Sequence, residues 1–189
     1  HGESRERKTM DERLLKRKKF LYKAIPVLAL LLLFAILTLL SSKENSPLYH
    51  EGERIFNGYS YLQYGNSINQ AGYPLLTHSL AAFPLLFYGI DYPEEFNYTN
   101  PKVFGQRDFL YYGENDAQKI LFWARLPFII LGTILGIFIF QWAKELFGYK
   151  AGIFSLVLFA FSPTMIAYTP LVAADMNLAV FLFVASYFF

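Results

Sequence analysis

The sequence predicts an all-α membrane protein: a polytopic helical bundle with a long external loop that carries amphipathic surface helices. Three observations predict it. The chain is 54% hydrophobic and 19% aromatic, more apolar than an average soluble domain. Residues 1–23 hold nine Lys or Arg against four Asp or Glu. Long runs with almost no charge follow, and a basic end beside such runs is typical of a membrane protein.

The first predicted membrane helix is residues 24–40, a run of 17 residues without a charge. This is the short end of what crosses a hydrocarbon core of about 30 Å, and residues 20–22 can extend it. A secretory signal peptide is the alternative, because a basic stretch precedes the run. The SSKEN that follows is a poor cleavage site, which favours a membrane anchor with residues 1–23 as a basic cytoplasmic N-terminus.

The second predicted membrane helix is residues 120–147, which is apolar through Phe140 apart from Arg125. We expect Asn115 to cap a helix here with Gln118 at its third position. The basic KELFGYK segment and Gly148 are typical of a helix end.

Two further spans are predicted. Residues 151–167 form the third, bent or ended near Ser162-Pro163, because proline disrupts the helical hydrogen bonds before it. Residues 176–189 begin the fourth. Because the chain opens on His1 and stops inside an apolar run, we expect it to be the N-terminal part of a longer protein.

The distribution of cations predicts the orientation. Basic flanks stay cytoplasmic, which places residues 1–23 and the short loop with Lys144 and Lys150 inside. Residues 41–119 and 168–175 are then extracytoplasmic. The basic N-terminus is a topology signal or an anionic-lipid contact, and nucleic acid is not an expected partner.

The external segment, residues 41–119, is longer than a connector requires. In residues 51–64, Ile55, Tyr59 and Leu62 recur at helical spacing and Gly65 follows, which predicts an amphipathic helix. We expect it to lie along the membrane surface.

A second surface helix is predicted to open at Pro74, with a kink at Pro84. We expect its His78 to be an interfacial residue without a functional role. Residues 91–115 are predicted to be irregular loop.

The charged head of the first surface helix, HEGER, is a candidate site. On a helix His50 and Glu51 share a face with Arg54, which offers a base, a carboxylate and a guanidinium together. A solvated helix start, where acids are favoured by the helix dipole, is the alternative interpretation.

Charged residues beside the apolar runs are the other candidates, because charge in a membrane is expensive and often functional. Asp175 lies at the mouth of the fourth helix, and Arg125, with Lys119 before it, lies at the outer end of the second. A guanidinium there suits a phosphate. The alternatives are a helix-start acid for Asp175 and an interfacial, snorkelling side chain for Arg125.

The sequence has no cysteine, no histidine and carboxylate spacing typical of a metal site, and no glycine-rich phosphate loop. No cofactor is therefore predicted; a divalent metal ion is compatible with the sequence but has no support in it.

Four stretches resemble the N-terminal part of the GT-C glycosyltransferases, of the protein O-mannosyltransferase and aminoarabinose transferase type in glycosyltransferase family 39. They are GYSYLQYGN, PLLTHSLAAFPLL, ARLPFIILGTILGIFIFQWAKELFG and AGIFSLVLFAFSPTMIAYTPLVAAD. The resemblance implies that a sugar moves, with inversion, from a polyprenyl-phosphate donor to an external protein or to a lipid or glycan acceptor.

The resemblance also implies site residues. The family's catalytic Asp-Glu pair falls on His50 and Glu51, so that the Glu is kept and the Asp is replaced. His50 or Glu51 is then the expected base. Arg125 and Asp175 match their counterparts, with Arg125, Arg54 and Lys119 as the expected cations for the lipid phosphate. Three other residues of the family motifs are replaced in this sequence, by Gly72, Tyr73 and Tyr168.

Two further functions remain open on the sequence. The replacement at His50 is also compatible with a non-catalytic relative that binds a polyprenyl-phosphate lipid or a membrane partner. A transporter is a third interpretation, weakened by the lack of detectable inverted repeats.

Overall fold

The computed structural model describes residues 2–65, 74–90, 109–111 and 115–189. These residues are 85% helical with no β-strand among them, which confirms the all-α prediction. Gly72 and Tyr73 and most of the predicted irregular loop lie outside the described residues. The helices, numbered here in chain order, are α1 Gly2–Glu44, α2 Glu51–Tyr64, α3 Leu75–Ala82, a 3-10 turn Phe83–Phe87, α4 Ala117–Phe147, α5 Tyr149–Ala160, α6 Pro163–Tyr168 and α7 Ala174–Phe188.

Within the described ranges, two helices are long and apolar enough to cross a membrane. The most apolar 18-residue window has a mean hydropathy of 2.7 within Leu21–Glu44 of α1 and of 2.0 within Ala117–Phe147, which is α4. The shorter apolar helices include α5 and α7. α5 stops at Ala160 and α6 begins at Pro163, whose N-cap Ser162 accepts a hydrogen bond from the Met165 amide. The proline therefore divides this region into two helices, as the sequence predicts.

α4 is the central helix of the bundle, because α1, α3, α5 and α7 all pack against it. Glycines permit the close approaches, as is common between membrane helices. A Cβ at Gly132 would lie 2.5 Å from the Thr169 methyl group, and one at Gly136 would lie 3.0 Å from a Leu31 methyl group. The GTILG segment thus forms the contact surface of α4 toward α1 and the end of α6.

The bundle has two polar ends, separated by the length of one helix. At one end the Tyr149 hydroxyl donates to the Lys23 carbonyl over 2.8 Å, and at the other Arg125 donates to the Ser42 carbonyl over 2.6 Å. Lys23 and Ser42 are separated by about 28 Å along α1, given a rise of 1.5 Å per residue. This matches the roughly 30 Å thickness of a hydrocarbon core.

The helix predicted after the first membrane span is present as α2, and Gly65 ends it in the left-handed conformation with φ of 73°. Its apolar stripe is buried, including Ile55, Tyr59 and the neighbouring Phe56. Burial extends to polar positions, so that nine of its fourteen residues are buried. α2 therefore packs within the protein on more than its apolar face.

Gly58 sets the distance between α2 and α3. A Cβ built there would lie 2.0 Å from the carbonyl oxygen of His78, a backbone atom that cannot rotate away. We expect Gly58→Ala to separate the two helices and to lower the free energy of unfolding by about 1–3 kcal/mol, the range for overpacking. Denaturation in mixed detergent micelles measures it.

Gly136→Ala is the matched control, because its new Cβ meets side-chain atoms at 3.0 Å or more, and none of its three nearest atoms belongs to the backbone. Both changes gain similar helix propensity. The difference between their effects on the free energy of unfolding therefore reports the steric clash at Gly58. Equal stabilities of the two variants would contradict the assigned packing of α2 against α3.

Candidate functional site

The site lies at the polar end of the bundle, where α1 ends and where α2 and α4 begin. His50 is the N-cap of α2, with no capping hydrogen bond from its side chain. A tight turn precedes it, in which the Glu51 amide donates to the Leu48 carbonyl over 2.8 Å. The charged head HEGER therefore lies at a helix start that is held against its neighbours.

Glu51 and Arg125 form a fully buried, two-point ion pair. Nε of Arg125 donates to Oε1 of Glu51 over 2.8 Å, and Nη2 donates to Oε2 over 2.7 Å. The side chains are 0% and 1% exposed. This parallel arrangement is the strongest geometry for a guanidinium and a carboxylate.

The remaining donors of Arg125 go to backbone carbonyls where α1 ends. Nη1 donates to Ser42 over 2.6 Å and to Asn45 over 3.1 Å, and Nη2 donates to Ser46 over 3.3 Å. A guanidinium has five N–H donors, and all five are now used. The cation thus satisfies carbonyls that the end of a helix leaves without partners.

The carboxylate of Glu51 is equally occupied. Besides the two bonds from Arg125, Oε2 accepts from the Leu48 amide over 2.9 Å and Oε1 from the Val172 amide over 3.1 Å. The other backbone group of Val172 is held as well, because its carbonyl accepts from Nη1 of Arg54 over 2.6 Å. Two charged side chains of α2 therefore fix the segment that leads into α7.

The contact of Glu51 and Arg54 with Val172 brings two predicted parts of the site together, the head of α2 and the region of Asp175. Asp175 follows Val172 by three residues, lies in the first turn of α7 and is exposed. It therefore lies on the same end of the bundle as the start of α2. Tyr168 ends α6 and is also exposed.

His50 is paired with Glu53, not with Arg54. Nδ1 of His50 lies 2.8 Å from Oε2 of Glu53. The Glu53 side chain is 3% exposed and that of His50 is 32% exposed. The Tyr49 ring packs edge-on against the imidazole, with centroids 4.6 Å apart. An imidazole that is open to solvent on one side is thus held by a buried carboxylate on the other.

Arg54 is half-buried and retains donor capacity. Its bond to Val172 uses Nη1, and the described residues provide no hydrogen-bond partner for its Nε or Nη2. Its charge also acts on His78. Burial, and secondly Arg54, lower the pKa of His78 to about 4, against a smaller opposing effect of Glu53. His78 is therefore neutral at physiological pH and cannot supply positive charge.

The expectation that His78 is an interfacial residue is wrong, since it is 3% exposed. The close approach of α3 to Gly58 of α2 buries it. The expected N-cap of the second membrane helix is also displaced by one residue. Asp116, not Asn115, caps α4, by accepting from the Lys119 amide over 3.2 Å.

Lys119 remains on the surface at the start of α4. Its ammonium lies 3.2 Å from the Asp116 carboxylate, and the side chain is 61% exposed. It precedes Arg125 by about 9 Å of helix. The structure therefore separates the three expected cations: Arg125 is enclosed, Arg54 is half-buried and Lys119 faces solvent.

An apolar groove of about 560 Å³ opens beside this end of α4. Trp123 forms part of the wall of this groove, and Lys119 lies one helical turn before it. A cation therefore lies near the groove. The groove lies between α3 with the 3-10 turn on one side and α4 on the other, and its walls are Leu80, Phe83, Pro84, Phe87, Tyr88, Trp123, Leu126, Pro127, Ile130 and Leu131.

No group of three His, Asp or Glu side chains suited to a metal ion occurs in the described part of the chain. Sequence reasoning missed two contacts. Glu53 is one of the two carboxylates of HEGER, but its pairing with His50 was not predicted, although the i, i+3 spacing allows it. The backbone of Val172 carries no signal in sequence, because any residue provides the same amide and carbonyl.

Comparison with known proteins supports the resemblance. Residues 118–189, less than half of the chain, match the model of the dolichyl-phosphate-mannose-protein mannosyltransferase family. Searches of curated proteins and of solved structures find no significant match. The matched segment includes Lys119, Arg125 and Asp175, whereas the head of α2 lies outside it. This match and the all-helical fold support a GT-C glycosyltransferase-like fragment, similar over residues 118–189 to the dolichyl-phosphate-mannose-protein mannosyltransferase family.

Proposed function

We propose that the protein transfers a sugar from a polyprenyl-phosphate donor to an acceptor hydroxyl on the extracytoplasmic side of the membrane, with inversion at the anomeric carbon. The observation that carries the proposal is the family match over residues 118–189, combined with a histidine–carboxylate pair next to available cations at one polar end of the bundle. Transfer to a hydroxyl requires both: a base for the proton and positive charge for the departing phosphate.

His50 is the proposed base. An imidazole accepts a proton near neutral pH, and this one is partly exposed beside a buried carboxylate. Glu51 is a weaker candidate, because all four of its hydrogen bonds are made inside the protein. Asp175, exposed at the start of α7, is proposed to contact the acceptor or the sugar.

Arg54 and Lys119 are the proposed cations for the lipid phosphate, since the Lys119 side chain is 61% exposed and Arg54 is half-buried with a hydrogen bond to the Val172 carbonyl. Arg125 would have to break its bonds to Glu51 to bind a phosphate directly. We therefore propose that Arg125 holds the site together. The apolar groove beside Lys119 is proposed to receive part of the polyprenyl chain, which places its phosphate end near the cation.

Turnover of a defined donor tests this function. Full-length protein in proteoliposomes is given a polyprenyl-phosphate-linked mannose and, separately, a linked pentose, with hydroxyl acceptors. We expect free polyprenyl phosphate and glycosylated acceptor in equal amounts. Folded protein that releases no polyprenyl phosphate from either donor would overturn the proposal.

A non-catalytic relative that binds polyprenyl phosphate is the second candidate. Two observations favour it: His50 stands where the family has Asp, and the retained Glu51 is enclosed by Arg125. Saturable binding of the donor without turnover is the result expected of this candidate.

The proposed orientation predicts which cysteines an impermeant thiol reagent reaches. The chain has no native cysteine, so single replacements give a clear signal. Tyr64→Cys, at the exposed end of α2, should react in intact cells. Phe147→Cys, at the exposed opposite end of α4, should react only after lysis. The reverse pattern would show that the N-terminus is extracytoplasmic.

A further inference from the structure

We infer that Glu53 is a positioning residue that holds His50 with its proton on Nδ1 and leaves Nε2 to accept the proton of the attacking hydroxyl. The inference rests on the proposed function for its chemical step. The pairing itself rests on geometry alone.

The two side chains are arranged as an oriented base. Oε2 of Glu53 lies 2.8 Å from Nδ1 of His50. An ionised carboxylate can only accept a hydrogen bond, so the tautomer with the proton on Nδ1 is favoured. A hydrogen bond to one ring nitrogen fixes the role of the other. The described residues give His50 no hydrogen bond at Nε2, and the side chain is 32% exposed while Glu53 is 3% exposed.

The neighbouring carboxylate is excluded from this role. Glu51 precedes Glu53 by two residues, yet its two oxygens already accept four hydrogen bonds, from Arg125, Leu48 and Val172. The two acids of the HEGER head thus have separate tasks. Glu51 joins the helices, and Glu53 orients the imidazole.

The chemical step balances as a single displacement. The acceptor oxygen forms a bond to C1 of the sugar while the bond from C1 to the phosphate oxygen breaks. The phosphate leaves with the bonding electron pair, and the hydroxyl proton moves to Nε2 of His50. The negative carboxylate of Glu53 stabilises the imidazolium that results, in the way that a buried carboxylate supports a histidine base in hydrolytic triads.

The tautomer is measured directly, without any activity, by ¹⁵N NMR of histidine-labelled protein in nanodiscs at a pH where the imidazoles are neutral. The chain has only three histidines, so His50→Gln identifies the relevant signal and His78 is an internal reference. We expect the His50 proton on Nδ1. Glu53→Leu, which removes the acceptor, should abolish that preference. A wild-type His50 with its proton on Nε2 would overturn the inference, even if Glu53→Leu failed to fold.

Kinetics test the positioning role separately. Glu53→Gln keeps an oxygen acceptor but removes the negative charge. We expect kcat to fall at least about 10-fold, the smallest loss seen when the partner behind a metal-ligating histidine is removed, with KM changed less than about 3-fold. Glu44→Gln, at an exposed site at the end of α1, is the matched control and should keep wild-type kcat.

These results separate two failures. If the wild-type protein transfers sugar and Glu53→Gln keeps full kcat, the inference fails and the proposed function stands. If the wild-type protein transfers nothing, the proposed function fails, and the NMR result still decides whether Glu53 sets the tautomer of His50.

Discussion

Glu51→Leu is expected to lower the free energy of unfolding by about 3–5 kcal/mol, the range for removing one partner of a buried ion pair. The leucine has a similar volume but accepts no hydrogen bond. It would leave the guanidinium of Arg125 charged and 1% exposed without its carboxylate. The amides of Leu48 and Val172 would also lose their acceptor. Equilibrium denaturation in mixed micelles measures the change.

A double-mutant cycle with Arg125→Leu isolates the pair. We expect the double variant to be at least about 2 kcal/mol more stable than the sum of the two single changes implies, because no buried charge then remains unpaired. Lys119→Leu is the control for an ion pair at the surface, and it should change stability by less than about 1 kcal/mol. Additive single variants, within about 0.5 kcal/mol, would contradict the buried pair.

His50→Ala is expected to lower the rate of sugar transfer by about 10²–10⁴-fold, the contribution of a general base. Because His50 is partly exposed, the fold should persist, and the loss should fall on kcat. The measurement is the initial rate of polyprenyl phosphate release at saturating donor, normalised to folded protein.

His50→Asp is the informative control. The family resemblance places Asp at this position, so the variant returns the family's base to the start of α2. We expect it to retain at least about tenfold more activity than His50→Ala. An alanine variant as active as the wild type would remove His50 from the mechanism.

Local features of the fold could be predicted from the sequence. The spacing of Ile55, Tyr59 and Leu62 together with Gly65 predicts α2, and helix Glu51–Tyr64 matches it. The break at Ser162-Pro163 was predictable for the same kind of reason. Periodicity, proline and glycine act within a few residues, so their effects appear directly in the sequence.

The partners within the site could not be predicted in the same way. His50, Glu51 and Arg54 were expected to share one helix face and act together. In the structure His50 pairs with Glu53, Glu51 with Arg125 and Arg54 with the Val172 carbonyl. Glu51 and Arg125 are separated by 74 residues, and only the packing of α2 against α4 decides that they meet. The sequence does not show that Arg54 is half-buried whereas Arg125 is enclosed.

The most direct test of the central claim, that the head of α2 is part of a glycosyl-transfer site, compares wild-type and His50→Ala full-length protein side by side in proteoliposomes. The measured quantity is the initial rate of polyprenyl phosphate release from a polyprenyl-phosphate mannose donor in the presence of acceptor. We expect steady release by the wild type and a rate about 10²–10⁴-fold lower in the variant. Equal rates, or no release by folded wild-type protein, would contradict it.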